Sequence, residues 1–274
     1  MADEIKNSMP AGACDCHMHV YDARFALLPN LPVTPPDAPA SKYIALQREL
    51  GLERVVVVQP IGYGFDNSCT LDAMTQFGKS ARGICIIRPD ATDEAIEALH
   101  ARGVRGVRFM MIGNPHLTWE MLEPMAARLV NFGWMINLQL DGRLLPQHEA
   151  MLMRLPCTLV IDHNGKFLEP VTTDDAAFHS LLRVLEKGNV WIKLSAPYET
   201  SKAGPPGYDD VSVLAREFVR RFPERCLWAS NWPHPGRNPA PSDRALLDLL
   251  DTWAPDSRVR NRILADNPKA LYGF

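Results

Sequence analysis

Residues 54–60 read RVVVVQP. Four valines in a row form a β-branched run too short for an ordinary helix and lacking any polar face. A strand with no polar face is buried on both sides, which is the situation of a parallel strand inside an α/β sheet. The run ends where Gln59 supplies a polar side chain and Pro60 removes a backbone donor. Seven further runs share this character: GACDCHMHV (12–20), GICIIRP (83–89), VRGVRFMM (104–111), WMINLQL (134–140), CTLVIDH (157–163), NVWIKLS (189–195) and RCLWAS (225–230). Amphipathic stretches at 41–51, 92–102, 118–132, 174–188 and 209–222 separate most of them, and helical stretches 242–253 and 256–266 close the chain. In 118–132, for example, Leu122, Met125, Ala126 and Leu129 recur at helical spacing. Eight strand units in 274 residues fit an α/β fold of the (β/α)₈ TIM-barrel type, a single domain over 1–274. An open doubly wound sheet is the rival, weakened because no G-x-G-x-x-G follows the first strand.

The net charge of −3, with Lys and Arg scattered, gives no footprint for nucleic acid. No run of 18 apolar residues suggests a membrane span, and the polar start MADEIKNSMP lacks a signal-like apolar segment, so a cytoplasmic location is expected. Of the six cysteines, Cys14, Cys85, Cys157 and Cys226 lie in apolar strand-like runs. No second pair completes a zinc pattern with Cys14 and Cys16, so reduced, structural thiols are expected. A homo-oligomer is left open.

In a barrel, catalytic side chains gather at the C-terminal ends of the strands and on the loops that follow. Those places carry His17 and His19, Tyr63 beyond Gln59, Arg108, Asn137 and Gln139, His163 followed by Lys166, Lys193 and Ser195 with Tyr198 beyond, and finally Asn231 and His234. Strand residues two apart face one side, so His17 and His19 point together. A single buried histidine is most simply a hydrogen-bonded core residue. Three histidines, an arginine and a lysine at one end of a barrel are costly to bury without a function. The Pro-rich loop 29–39 and the loop 201–208 belong to the same end.

At this point the chain resembles the amidohydrolase superfamily. The resemblance rests on D-x-H-x-H (Asp15, His17, His19), IDHNG around His163 and SNWPHP (230–235). It extends to VQPIGYGFDN (58–67), RGVRF (105–109), GPP (204–206) and the closing DNPKALYGF. More narrowly it is similar to a metal-independent, lactone-processing branch, whose members isomerise galactarolactone or hydrolyse pyrone dicarboxylate and sulfomuconolactone. Most of that branch has Asp where this chain has Asn231, and an amide is not a base. The superfamily's binuclear metal pattern also needs groups that Arg108, Gln139 and Asn231 do not supply. At most a three-histidine zinc site remains, opposed by nearby Arg and Lys, so neither metal nor other cofactor is expected.

The resemblance implies catalytic roles for His17, His19, His163 and Asn231, the histidines donating to a carbonyl oxygen that becomes an oxyanion. Arg108 offers a fork for a substrate carboxylate, with Lys166 as a second positive charge, unless Arg108 is instead paired with Asp15 or Asp162. Tyr63, Asn137, Gln139, Tyr198 and His234 complete the expected binding set. Where the pyrone dicarboxylate pattern has further arginines, this chain shows Asn114, Gln139 and Glu199, which suit hydroxyls better than a second carboxylate. The expected partner is a small carboxylated lactone. The expected reaction opens a sugar-diacid 1,5-lactone with the substrate's own hydroxyl to give the 1,4-lactone. The alternatives are a lactone hydrolase using His163 or His234 as base, and a binding protein that kept only the pocket.

Overall fold

A computed structural model of the chain describes residues 9–113 and 115–274. Eight parallel strands form one sheet in sequence order: β1 (Cys14–Met18), β2 (Arg54–Val58), β3 (Ala81–Cys85), β4 (Val104–Met110), β5 (Met135–Gln139), β6 (Leu159–Ile161), β7 (Val190–Leu194) and β8 (Cys226–Trp228). The sheet closes just past β8, where Asn231 N–H donates to the His17 carbonyl (2.9 Å) and His19 N–H to the Trp232 carbonyl (2.8 Å). Asp15 ties the same seam. It accepts from the Ser230 N–H and hydroxyl, the His17 N–H and the Tyr43 hydroxyl, and burial nevertheless raises its pKa.

The helices are α1 (Ala40–Leu50), α2 (Ser68–Phe77), α3 (Asp93–Ala101), α4 (Leu122–Leu129), α5 (Leu145–Arg154), α6 (Ala176–Glu186), α7 (Asp209–Arg221), α8 (Asp243–Trp253), α9 (Ser257–Asn261) and α10 (Asn267–Tyr272), with a π turn at Arg262–Asp266. Three of them, α2, α5 and the short α10, are absent from the sequence expectation. In α5 only Leu145 and Leu152 are buried, and in α2 the buried Leu71 and Met74 stand among the smaller Cys69, Thr70 and Ala73, so neither shows a long stripe of large apolar residues. No helix among the described residues is long and apolar enough to cross a membrane.

The valine run shows how the barrel is filled. Val56 and Val58 join Cys14, Cys16, Ile84, Met135, Val160 and Leu227 in one buried cluster, while Val55 and Val57 join the larger cluster formed with the helices. Each fully buried valine is worth about 1.5–3 kcal/mol over an exposed one, so both faces stabilise the strand.

The faces that carry the inner cluster turn polar toward the C-terminal ends. By the two-residue period, β4 runs Gly106, Arg108, Met110; β5 runs Met135, Asn137, Gln139; β7 runs Trp191, Lys193, Ser195; and β8 continues as Leu227, Ala229, Asn231. β4 and β5 lie especially close beneath Arg108, because a Cβ at Gly106 would strike the Met135 carbonyl. In β1 the register shifts between Asp15 and Met18. Cys14 and Cys16 thus belong to the inner cluster, whereas His17 and His19 meet each other and the site.

Candidate active site

The ends of β6, β7 and β8 leave the sheet through residues with left-handed backbone: His163 (φ 55°), Asn164 (φ 54°), Lys166 (φ 44°), Ala196 (φ 47°), Asn231 (φ 62°) and His234 (φ 61°). Non-glycine residues adopt this region at a cost, and such residues cluster where a fold re-aims side chains for function.

The floor of the site is a closed polar network whose protons can be assigned. His19 Nδ1 lies 2.8 Å from the Val58 carbonyl, which only accepts, so Nδ1 carries the hydrogen and Nε2 the lone pair. His17 Nε2, 3.2 Å away, then donates to His19 Nε2. That leaves His17 Nδ1 to accept from the Lys193 ammonium at 3.0 Å. Lys193, fully buried, also meets Asp162 Oδ1 at 3.1 Å, and Asn137 Nδ2 donates to the same oxygen at 3.2 Å. Burial, and then Lys193, holds the His17 imidazolium well below its usual range. Burial and Arg108 bring His19 down to about 3, and burial lowers His163 despite the adjacent Asp162. All three rings are therefore neutral at pH 7. For Asp162, burial alone would raise the pKa, but its neighbours, Lys193 foremost, outweigh it and hold the carboxyl below the usual range.

This assignment corrects one expectation. His17 and His19 have no N–H left for a substrate oxygen, because each spends its hydrogen inside the network. The histidine that keeps an uncommitted nitrogen is His163. Its Nδ1 is bonded to Ser195 Oγ at 2.8 Å, leaving Nε2 without a protein partner among the described residues.

Above the floor lies a cavity of about 190 Å³. His19, Arg108, Gln139, His163, Glu199 and Asn231 form its polar side. Leu31, Pro32, Val33 and Pro35 from the Pro-rich loop, with Ile61, form an apolar roof. Arg108 is buried and pairs with no carboxylate among the described residues. It donates from Nη1 to the Gln59 carbonyl (2.8 Å) and from Nη2 to Gln139 Oε1 (3.2 Å), and its Nε has no partner. Neither Asp15 nor Asp162 takes it as an ion partner, so the expected alternative of an ion pair is not formed.

The wall beside β8 holds Asn231. Its Nδ2 donates to the Tyr198 hydroxyl (2.9 Å) and to Glu199 Oε1 (3.1 Å), while Lys166 pairs with Glu199 Oε2. Lys166 is thus neutralised by Glu199, not left as a second free positive charge. Tyr198 is bonded to His234 Nδ1 (2.8 Å), and His234 Nε2 to Asp243 Oδ1 (3.0 Å). Tyr198 and His234 therefore stand behind the wall, and His17 and Asn137 lie in the floor. Tyr63 is drawn away, its hydroxyl bonded to Asp22 N–H at 3.0 Å. Asn114 lies outside the described residues. Two polar cavity residues are missing from the site candidates. Tyr21 continues the His17, His19 alternation, a signal present in the sequence; Glu199 was weighed only as a replacement for an arginine.

His17, Asp162 and His163 bring ligand-type atoms within 4.8 Å of one another. A divalent cation among them would face the Lys193 ammonium already 3.1 Å from Asp162, with Arg108 close by, and would compete for a His17 nitrogen already engaged, Nε2 with His19 or Nδ1 with Lys193. Asp162 Oδ2 has no protein partner, but one carboxylate does not balance two buried cations and a dication. This donor set does not suit a metal.

Comparisons with known proteins agree with the geometry. A model of the amidohydrolase family, described as amidohydrolase, matches residues 14–274. The chain is 34% identical to the D-galactarolactone isomerase of Agrobacterium fabrum (strain C58), over 97% of this chain and 92% of that one. It is 35% identical to the 2-pyrone-4,6-dicarboxylate hydrolase of Comamonas testosteroni, over 96% and 91%. It is also 35% identical to the 4-sulfomuconolactone hydrolase of Rhizobium radiobacter, over 98% and 92%. An apo crystal structure from Agrobacterium tumefaciens superposes with a TM-score of 0.92 at 33% identity, covering 98% of both chains.

Proposed function

The chain belongs to the amidohydrolase family, and from that premise we propose that it is a lactone isomerase, converting a sugar-diacid 1,5-lactone of the galactaro type into the 1,4-lactone by intramolecular acyl transfer. Sequence identity alone does not separate this from hydrolysis, since the isomerase and the hydrolases stand at 34% and 35%. The observation that carries the reading is the charge count of the cavity. Arg108 is its one cation without a carboxylate partner among the described residues, and Glu199 faces the same space. A sugar-diacid lactone has one free carboxylate, because the other carboxyl is in the ring. A pyrone dicarboxylate has two, and a sulfomuconolactone has a sulfonate beside its carboxylate. In either case the second anion would have no unpaired cation to meet.

In this reading Arg108 binds the free carboxylate through the N–H groups left over from Gln59 and Gln139. His163 sits at the lactone carbonyl, and a hydrogen on Nε2 would stabilise the oxyanion when Ser195 donates to Nδ1. Asn231 stands where a base for water would otherwise be needed. A hydroxyl of the substrate held against the carbonyl has an effective molarity of up to about 10⁵–10⁸ M, which lets it outrun water. The apolar roof limits water further. No metal enters this chemistry. A cytoplasmic setting is part of the proposal, and the six cysteines, all free and buried, accord with a reducing compartment.

The test is incubation with galactaro-1,5-lactone followed by proton NMR. Appearance of the 1,4-lactone supports the isomerase. Free diacid as the main product would make the chain a hydrolase, and no turnover with saturable binding would make it a binding protein.

A further inference from the structure

An acyl transfer of this kind must still move a proton, because the attacking hydroxyl loses one and the departing ring oxygen gains one. Most titratable groups near the cavity are unsuited to carrying it. His17 and His19 spend their N–H groups on each other and on Val58, and Asp162 is held under the floor by Lys193. Asp15 is tied by four hydrogen bonds at the barrel seam. Tyr21 faces the cavity, but burial pushes its hydroxyl up to about 12, so it gives up its proton poorly. Glu199 is different. It is the carboxylate that lines the cavity among the described residues, and it is aimed from two sides, by Asn231 on Oε1 and Lys166 on Oε2.

We propose that Glu199 carries the proton of the isomerisation, accepting it from the attacking hydroxyl and returning it to the ring oxygen that leaves. This rests on the isomerase reading given above. As the hydroxyl oxygen bonds to the lactone carbon, its hydrogen passes to a Glu199 oxygen and the carbonyl electrons move onto the oxyanion. When the oxyanion collapses, the bond to the old ring oxygen breaks and that oxygen takes the hydrogen from Glu199. The carboxylate ends as it began, with no water consumed and no net proton exchanged. One carboxylate that takes and then gives is sufficient for an isomerase.

The assignment also gives Asn231 a task. A carboxylate only accepts hydrogen bonds, so the amide nitrogen must face Glu199, and its second hydrogen goes to Tyr198 oxygen. Tyr198 then donates to His234 Nδ1, and His234 Nε2–H to Asp243, so the chain of donors runs one way from Asn231 to Asp243. Asn231 is a positioning residue here. An aspartate in its place would set a second negative charge about 3 Å from Glu199, where two carboxylates cannot both ionise freely.

The experiment compares wild type, Glu199→Gln, Glu199→Asp and Glu199→Ala on galactaro-1,5-lactone, with product-lactone affinity measured by calorimetry and folding checked by thermal melting. Glu199→Gln is expected to lose about 10²–10⁴-fold in kcat while binding the product lactone with nearly wild-type affinity. Glu199→Asp, which keeps the charge if the glutamine variant folds poorly, should fall between the two. Added formate should restore part of the activity of Glu199→Ala, which a purely structural role would not allow. If wild type isomerises and folded Glu199→Gln keeps nearly full kcat, or formate does nothing for folded Glu199→Ala, the assignment to Glu199 is wrong. A wild type that yields only diacid overturns the isomerase reading itself and this assignment with it.

Discussion

The floor and the wall of this site are built from similar residues and behave differently. In the floor, His17, His19, Lys193, Asp162 and Asn137 are buried and spend their main hydrogen bonds on one another. In the wall, Asn231 and Glu199 share the cavity surface with Arg108, which still has uncommitted donors. A satisfied buried network holds a frame rigid, and the same satisfaction leaves it little to offer a substrate. Chemistry is left to the groups at the edge of the network. The histidine pair that stands out most in the sequence is bonded into the frame, and a glutamate that stands out little faces the cavity.

The largest effect should come from breaking the floor. Lys193→Met removes the cation between His17 and Asp162 and leaves the buried Asp162 carboxylate without its ion-pair partner. Such a loss costs about 3–5 kcal/mol and should appear as a lower midpoint in urea unfolding. An unfolding curve close to wild type would mean that the floor is not the frame described.

Arg108→Met tests the opposite side of the comparison. It should weaken a carboxylated lactone by about 2–5 kcal/mol while leaving a neutral ester of the same lactone nearly unaffected. An equal loss on both ligands, measured by titration calorimetry, would return Arg108 to the frame.

A third effect, shared by several groups, is the pH dependence of stability. His19 has a folded value of about 3 against an ordinary 6.5, and burial moves His17 and His163 in the same direction. Between those values the unfolded chain binds protons that the folded protein refuses. Stability is therefore complete above about pH 6.5 and declines as pH falls, by about 1.4 kcal/mol per pH unit for each such histidine. Asp15, raised by burial, works the other way at lower pH, but it is one group against three. The thermal midpoint should drop from pH 7 to pH 5, and a flat midpoint would mean that these rings protonate inside the folded protein.

The barrel was legible because strands such as β2 and β6 are apolar on both faces. Runs such as Val55–Val58 admit few other placements, and strand ends in a barrel all lead to one rim. α2 and α5 were not legible, because few of their residues are large, apolar and buried. The candidates at the rim could be named from strand ends alone, but their partners could not. Lys193 meets His17 across 176 positions of sequence, and Asn231 meets Glu199 across 32. Which ring nitrogen keeps a hydrogen depends on distances such as that from His19 to the Val58 carbonyl, and no residue pattern encodes them. The Pro-rich loop could be read as a loop at the catalytic end. Its service as an apolar roof follows only from where Leu31, Pro32 and Val33 fold back.

Direct acyl transfer within the substrate is most simply tested in water enriched in ¹⁸O. Galactaro-1,5-lactone is added to the protein, and the 1,4-lactone formed at early times is analysed by mass spectrometry. Attack by the substrate's own hydroxyl puts no label into the product, because no water oxygen enters at any step. Label in the lactone carbonyl of the product would show that water opens the ring first and a free diacid recloses, which contradicts the isomerisation described.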